Sequence, residues 1–122
     1  MTDRAVFVTG ALGCIGAWVV KQLLDAGDRP VVFDLGDDRR RLRQVIDEDA
    51  LERVTFLQGD IGDASAVHDA LEGSGASGIV HLAGLQVPFC RADPPLGARV
   101  NVLGTIHLFE AAKSLGLSLI HI

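Results

Sequence analysis

The chain has 122 residues, is 48% hydrophobic, and carries 11 Lys plus Arg against 16 Asp plus Glu, for a formal net charge of −5. That length gives one domain with a real core but is short for an enzyme with separate cofactor and substrate lobes. The acidic balance argues against a nucleic-acid surface, and no run approaches the ~18 apolar residues that a membrane span needs.

Short β-branched runs alternate with helical periodicity, which is the pattern of βαβ units and a parallel sheet. AVFVT (5–9) predicts a buried first strand. Ile15, Val19, Val20, Leu23 and Leu24 then share one helical face, and Gly27 stands where a left-handed residue would end that helix. VVFD predicts a second strand over 31–34. Leu42, Val45 and Ile46 mark a short, charged second helix, while DLGDDRRRLRQVIDEDALER (34–53) otherwise reads as a solvated loop and helix face. VTFLQ (54–58) predicts the third strand, and Asp63 can cap a helix carrying Ala64, Val67 and Leu71. GIVHLA (78–83) predicts the fourth. The longest helix comes last, with Asp93 as N-cap, Pro94 and Pro95 in its first turn and Gly116 closing it. Val100, Gly104, Leu108, Ala111 and Leu115 form a stripe along it that can lie against a sheet. LSLIHI (117–122) begins a fifth strand, and the sequence has no internal linker, repeat or low-complexity tract.

The segment VTGALGCIGAWVV (8–20) places three glycines between the first strand and the first helix. Gly10 can make a tight turn, Gly13 can let the backbone approach a ligand, and Gly16 can let helix and strand pack closely. The helix N-terminus then offers unpaired N–H groups and a partial positive charge, worth roughly 0.3–2 kcal/mol to an anion placed there. A pyrophosphate is the natural occupant. Such turns also occur for packing alone, and Asp34 before Gly36 could equally be a turn residue. The two agree, however: Asp34 ends the second strand 18 positions after Gly16, where a dinucleotide fold uses a carboxylate to hold the adenosine ribose hydroxyls. The fold class expected is α/β, a Rossmann-like doubly wound parallel sheet over 1–122, truncated near the fifth strand.

With these residues in place, the sequence resembles the extended short-chain dehydrogenase/reductases, also called the NAD-dependent epimerase/dehydratase family. Thr9, Gly10, Gly13 and Gly16 match its Thr-Gly-x-x-Gly-x-x-Gly turn, and the likeness extends over essentially the whole chain. GDIGD (59–63) is similar to its Asp-hydrophobic pair, which implies that Asp60 accepts from the adenine amino group and that the Ile61 backbone contacts the ring. HLAG (81–84) resembles a segment whose backbone runs close along the cofactor, and NVLGT (101–105) resembles the Asn-x-x-Gly-Thr helix. The resemblance implies cofactor contacts at Gly10, Gly13, Cys14, Ile15 and Gly16, at Asp34, Asp60 and Ile61, and at Leu82, Ala83, Gly84 and Asn101. It implies NAD in preference to NADP, and hydride-transfer chemistry on a nucleotide sugar or similar hydroxyl substrate in the full-length form.

The sequence also departs from that family. Cys14 replaces an aromatic residue. The family's reaction needs a Tyr-x-x-x-Lys helix and a Ser or Thr after the fifth strand, yet this sequence has no tyrosine. No catalytic residue is therefore assigned, the chain alone is expected to be inactive, and its end inside a strand reads as a truncation that invites self-association. His68, His81, His107 and His121 lack metal-ligand spacing and read as packing or surface residues, so no metal is expected. Asn101 reads either as part of the site or as a hydrogen-bonded structural residue. Arg39, Arg40 and Arg41 could neutralise a 2′-phosphate, but a solvated basic run is the plainer reading. Cys14 and Cys90 show no Cys-x-x-Cys or Cys/His ligand spacing, which suggests reduced thiols in a cytoplasmic protein. MTDR lacks the basic start of a signal peptide. Two rival functions stand beside the enzyme reading. One is a non-catalytic dinucleotide-sensing regulatory protein, and the other is a channel-type nucleotide-binding domain, which the glycine spacing and the Asn-x-x-Gly-Thr helix oppose.

Overall fold

The computed structural model describes residues 3–121, and side chains as far as Leu117. Met1, Thr2 and Ile122, and the surroundings assigned by sequence to the His121 ring, lie outside the described residues. Five strands, β1 (Ala5–Thr9), β2 (Arg29–Asp34), β3 (Thr55–Gln58), β4 (Gly78–His81) and β5 (Ser118–His121), form one sheet in the order β3-β2-β1-β4-β5. Every pairing is parallel, with Phe7 opposite Val31 on one side and Ile79 on the other. The doubly wound expectation is met, and β5 takes its place beside β4.

The alternation of β1 explains the layers. Ala5 and Phe7 point into a core built with Val67 and Leu71 of α4 (Ala64–Ser74) and Leu108 and Ala111 of α7 (Gly104–Leu115). Val6 and Val8 point the other way, onto Val20 and Leu24 of α1 (Cys14–Asp25) and Leu42 of α2 (Arg40–Val45). A parallel sheet covered on both faces has to be apolar throughout, and all five β1 residues are buried. The Phe7 and Phe33 rings stack with centroids 5.5 Å apart within the first core.

Several local expectations need correction. The inward face of α1 is Gly16, Ala17, Val20 and Leu24, whereas Ile15 is 62% exposed. The small residues allow the helix to sit close to the sheet, which turns Ile15 outward toward the end of the strands. β2 begins two residues early, and β3 and β4 are shorter than expected at one end. The charged 34–53 stretch is more ordered than a solvated face: Asp47 accepts from the Ala50 N–H to cap a further turn, α3 (Glu48–Leu51), and Leu42, Ile46 and Leu51 are buried beneath it.

The last helical rod is also not one uniform helix. After α5 (Val87–Ala92), which the sequence reading missed, α6 (Pro94–Ala98) starts where expected, with Asp93 accepting from Leu96 N–H. The rod then passes through one π turn over Arg99–Leu103 before α7 continues to Gly116. Gly104, Leu108 and Ala111 are buried as expected, with Ala112 joining them, while Val100 and Leu115 pack only partly.

Candidate functional site

In an open parallel sheet the ligand crevice lies beyond the C-terminal strand ends, where successive connections leave in opposite directions. Here that point falls between β1 and β4, because β2 and β3 follow on one side of β1 and β4 and β5 on the other. A cavity of about 710 Å³ opens there, within the range of small-molecule sites. Gly10, Gly13, Cys14, Ile15 and Gly16 line one wall, Asp34, Asp60 and Ile61 another, and Leu82, Ala83 and Gly84 a third. Of the residues expected from sequence, Asn101 alone is not in the lining.

The glycine turn is shaped by close approach. Gly10 has φ +69°, and a Cβ there would lie 2.6 Å from the Ala83 nitrogen. A Cβ at Gly16 would lie 2.5 Å from Ala11 Cα, so this glycine holds helix against turn. Gly13 differs, since a Cβ would meet only Gly10 O, at 3.4 Å, leaving open space toward the cavity. No side chain caps α1 and no acidic residue occupies its first turn, so its leading N–H groups and dipole suit an anion. The cradle therefore fits a phosphate group.

Asp34 stands at the rim, with Oδ2 accepting from Leu12 N–H at 3.3 Å and Oδ1 from Gly36 N–H at 3.1 Å. These bonds tie the end of β2 to the glycine turn. Of the three neighbouring arginines, Arg39 stacks over the Phe56 ring, 3.6 Å from its centroid. Arg40 pairs with Asp38 at 2.7 Å. Its side-chain hydrogen bond holds the Asp38 carboxyl below its ordinary range and raises the Arg40 guanidinium. Arg41 alone of the three lines the cavity.

The Asp60–Ile61 wall is held from two directions. Asp60 Oδ1 accepts from Gly62 N–H at 2.8 Å, and Oδ2 pairs with the Arg99 guanidinium. Ile61 O lies 3.0 Å from His107 Nδ1.

The third wall rests on a chain of side chains that the sequence did not reveal. Thr9 and His81 are buried. Thr9 Oγ1 accepts from Ala83 N–H at 3.2 Å and from Leu82 N–H at 3.1 Å. Its lone pairs are thereby filled, so its proton goes to His81 Nδ1, 2.6 Å away. His81 Nε2 must then carry the ring proton and donate to Thr105 Oγ1 at 3.0 Å, which donates on to Asn101 O at 2.9 Å. The Asn101 amide in turn accepts from Leu85 N–H at 2.7 Å and donates to Leu85 O at 3.0 Å. Asn101 thus acts behind the wall, fixing the loop after β4. Thr9 was visible as a motif residue, but the strand pattern of GIVHLA carried no sign that His81 would join it.

Among the described residues no group of three or more His, Cys, Asp or Glu side chains could hold a metal ion, and no helix is long and apolar enough to cross a membrane.

Comparison with known proteins places the chain. The family profile described as GDP-mannose 4,6 dehydratase matches residues 7–121. A UDP-glucose 4-epimerase from Klebsiella pneumoniae is 32% identical over 114 residues, covering 92% of this chain and 82% of that protein. The mouse UDP-glucose 4-epimerase is 36% identical over 121 residues, covering 92% of this chain and 35% of its own length. Among solved structures, the Thermus thermophilus UDP-glucose 4-epimerase in complex with NAD superposes with a TM-score of 0.79 at 30% identity, covering 95% of this chain and 36% of that one. The chain thus spans about a third of the mouse and Thermus proteins it matches.

Proposed function

The chain belongs to the GDP-mannose 4,6 dehydratase family, within the NAD-dependent epimerases and dehydratases, and on that premise we propose that it is the NAD-binding domain of a nucleotide-sugar epimerase or dehydratase. One observation carries the reading. Glycine turn, Asp34, the Asp60–Ile61 pair and the 82–84 backbone, far apart in sequence, line a single cavity at the switch point of the sheet.

Each wall has a role in this reading. The uncapped α1 N-terminus binds the pyrophosphate through the N–H groups of Cys14, Ile15 and Gly16. Asp34 accepts from the adenosine ribose hydroxyls, and Asp60 and Ile61 contact the adenine. Leu82, Ala83 and Gly84 follow the cofactor toward its nicotinamide, and Asn101 keeps that loop in place through Leu85. When bound, NAD accepts and returns a hydride at the nicotinamide. The residues of this chain orient it, and Ile15, half outside the helix packing, shields one side from water.

The 122 residues contain no tyrosine, so the acid–base step is assigned to residues beyond them, as is recognition of the sugar. We assign these residues to one cofactor-binding domain that does not turn over substrate by itself. Both cysteines are unpaired thiols, which supports a cytoplasmic setting. The Thermus relative's complex with NAD supports the choice of cofactor. Calorimetric titration of the protein with NAD and NADP tests the reading: saturable NAD binding at one site is expected, and absence of binding to either dinucleotide would overturn it.

A further inference from the structure

The wall expected to face the adenine is gripped by one helical rod at three places. Arg99 pairs with Asp60, Gly104 lies against Ile61 so closely that a Cβ would come within 3.0 Å of its side chain, and His107 meets Ile61 O. The spacing of these residues depends on the π turn. In an uninterrupted α-helix, residues five apart point about 140° away from each other. The i→i+5 turn over Arg99–Leu103 brings Gly104 back over Arg99. The same rod can then hold the Asp60–Ile61 loop with one face while Asn101 reaches Leu85.

A carbonyl oxygen only accepts, so His107 Nδ1 must carry a proton to bond Ile61 O. This is the opposite ring tautomer to that of His81. We propose that His107 is a positioning residue for the adenosine half of the cofactor site, its Nδ1–H bond to Ile61 O fixing the backbone that lines that end of the cavity. The inference rests on the dinucleotide reading above. Without the bond, Ile61 O keeps no donor from the rod, and the rod holds the loop only through the Gly104 packing on the Ile61 side chain and the half-exposed Arg99–Asp60 pair, which solvent weakens.

The test uses ADP and NAD as ligands and inorganic pyrophosphate as a competitor. His107→Leu is expected to weaken ADP and NAD by roughly tenfold, the loss typical of one hydrogen bond to a poorly solvated carbonyl. Pyrophosphate, which needs only the α1 turn, should compete as well as in the wild type, whereas general loosening of the fold would weaken both. His107→Asn places an amide nitrogen where Nδ1 stood and should restore ADP affinity to within about threefold of wild type. Nitrogen-15 shifts of the neutral ring should show the proton on Nδ1. A wild-type protein that binds neither NAD nor ADP sinks the dinucleotide reading and this inference with it. Wild-type binding together with unchanged ADP affinity in His107→Leu, or with the ring proton on Nε2, overturns the role of His107 and leaves the cofactor reading standing. Should His107→Leu fail to fold, the tautomer and the His107→Asn affinity decide between the same outcomes.

Discussion

The Thr9 hydroxyl lies 2.6 Å from His81 Nδ1 while accepting from the Leu82 and Ala83 N–H groups. One buried oxygen thereby joins the end of β1 to the loop that follows β4, the two strands between which the cavity opens. With both N–H groups donating to it, the hydroxyl gives its proton to the ring, and the ring gives its own to Thr105.

Removing that oxygen should therefore be costly. Thr9→Val is nearly isosteric but removes the acceptor of the Ala83 N–H and the hydroxyl donor to His81 Nδ1, and each such loss costs about 1–3 kcal/mol when buried. Urea denaturation should show a loss of about 2–4 kcal/mol for Thr9→Val. Thr9→Ser keeps the hydroxyl and should lose less than about 1.5 kcal/mol. Equal losses for the two would mean that the methyl packing, and not the hydroxyl, holds this junction.

Asp34 should set cofactor choice. A carboxylate about 4 Å from a 2′-phosphate costs up to about 4 kcal/mol per charge pair at an effective dielectric near 20. Arg40 is committed to Asp38 and Arg39 to Phe56, so Arg41 alone of the run lines the cavity. NAD should bind more tightly than NADP, and Asp34→Asn should narrow the ratio by at least about tenfold. If the ratio is unchanged, or if wild type prefers NADP, Asp34 does not face the ribose.

The glycines separate by what a side chain would meet. Gly13→Val adds bulk where only open cavity and Gly10 O lie nearby, at an ordinary φ of −79°. It should abolish NAD binding with circular dichroism unchanged. Gly10→Ala must force Cβ against Ala83 at a positive φ and should unfold or strongly destabilise the chain. NAD binding by Gly13→Val equal to that of wild type would make the turn a packing device.

These contrasts mark how much of the fold the sequence disclosed. Strand identity, sheet direction, the Asp63 and Asp93 caps, the glycine turn and Asp34 were legible because period-2 runs, capping residues and glycine spacing are local signals, whereas Asp60, Ile61, Leu82, Ala83 and Gly84 were placed at the cavity only by the family resemblance. Three features were not local. Ile15 fits the apolar face by periodicity, but Gly16 and Ala17 draw the helix inward and rotate that face. The π turn has no composition of its own in RVNVL, and it follows from what Arg99 and Asn101 each bond. Thr9, His81 and Thr105 converge from 72 and 24 residues apart, which no spacing rule anticipates.

The outer side of the rod should drive association. Val102, Ile106 and Phe109 recur at near-helical spacing and are about half exposed, with Val87 and Phe89 of α5 more so. A contiguous apolar stripe of this kind is rarely left facing water. Sedimentation should show this chain self-associating as concentration rises, and Ile106→Lys with Phe109→Glu should return it to monomer. A wild-type monomer with a cooperative melt well above mesophilic midpoints would count against an unmet partner for this face.

The 122 residues by themselves should catalyse no turnover. Moving a hydride to or from a nicotinamide requires a proton to move on the neighbouring oxygen, through a group within ~3 Å whose pKa suits the task. There is no tyrosine to supply it. His81 is buried with both ring nitrogens engaged, and His107 Nδ1 is spent on Ile61 O. His68 lies beside Asp69 and Glu72 on α4, Lys21 pairs with Asp25 on α1, and Lys113 is exposed in the last turn of α7. None of these lines the cavity. Binding NAD alone gives positioning without a proton partner or a substrate held in reach, and proximity then contributes little. Absorbance at the reduced-nicotinamide band, followed with nucleotide sugars and simple secondary alcohols, should stay at background while NAD binding is intact. Turnover that copurifies with the chain and vanishes in Gly13→Val would overturn this. It would also require the loop after β4 to move far enough for His81 to trade its bond to Thr9 for one to substrate, and Thr9→Ser and Thr9→Val would then alter rate in proportion to that exchange.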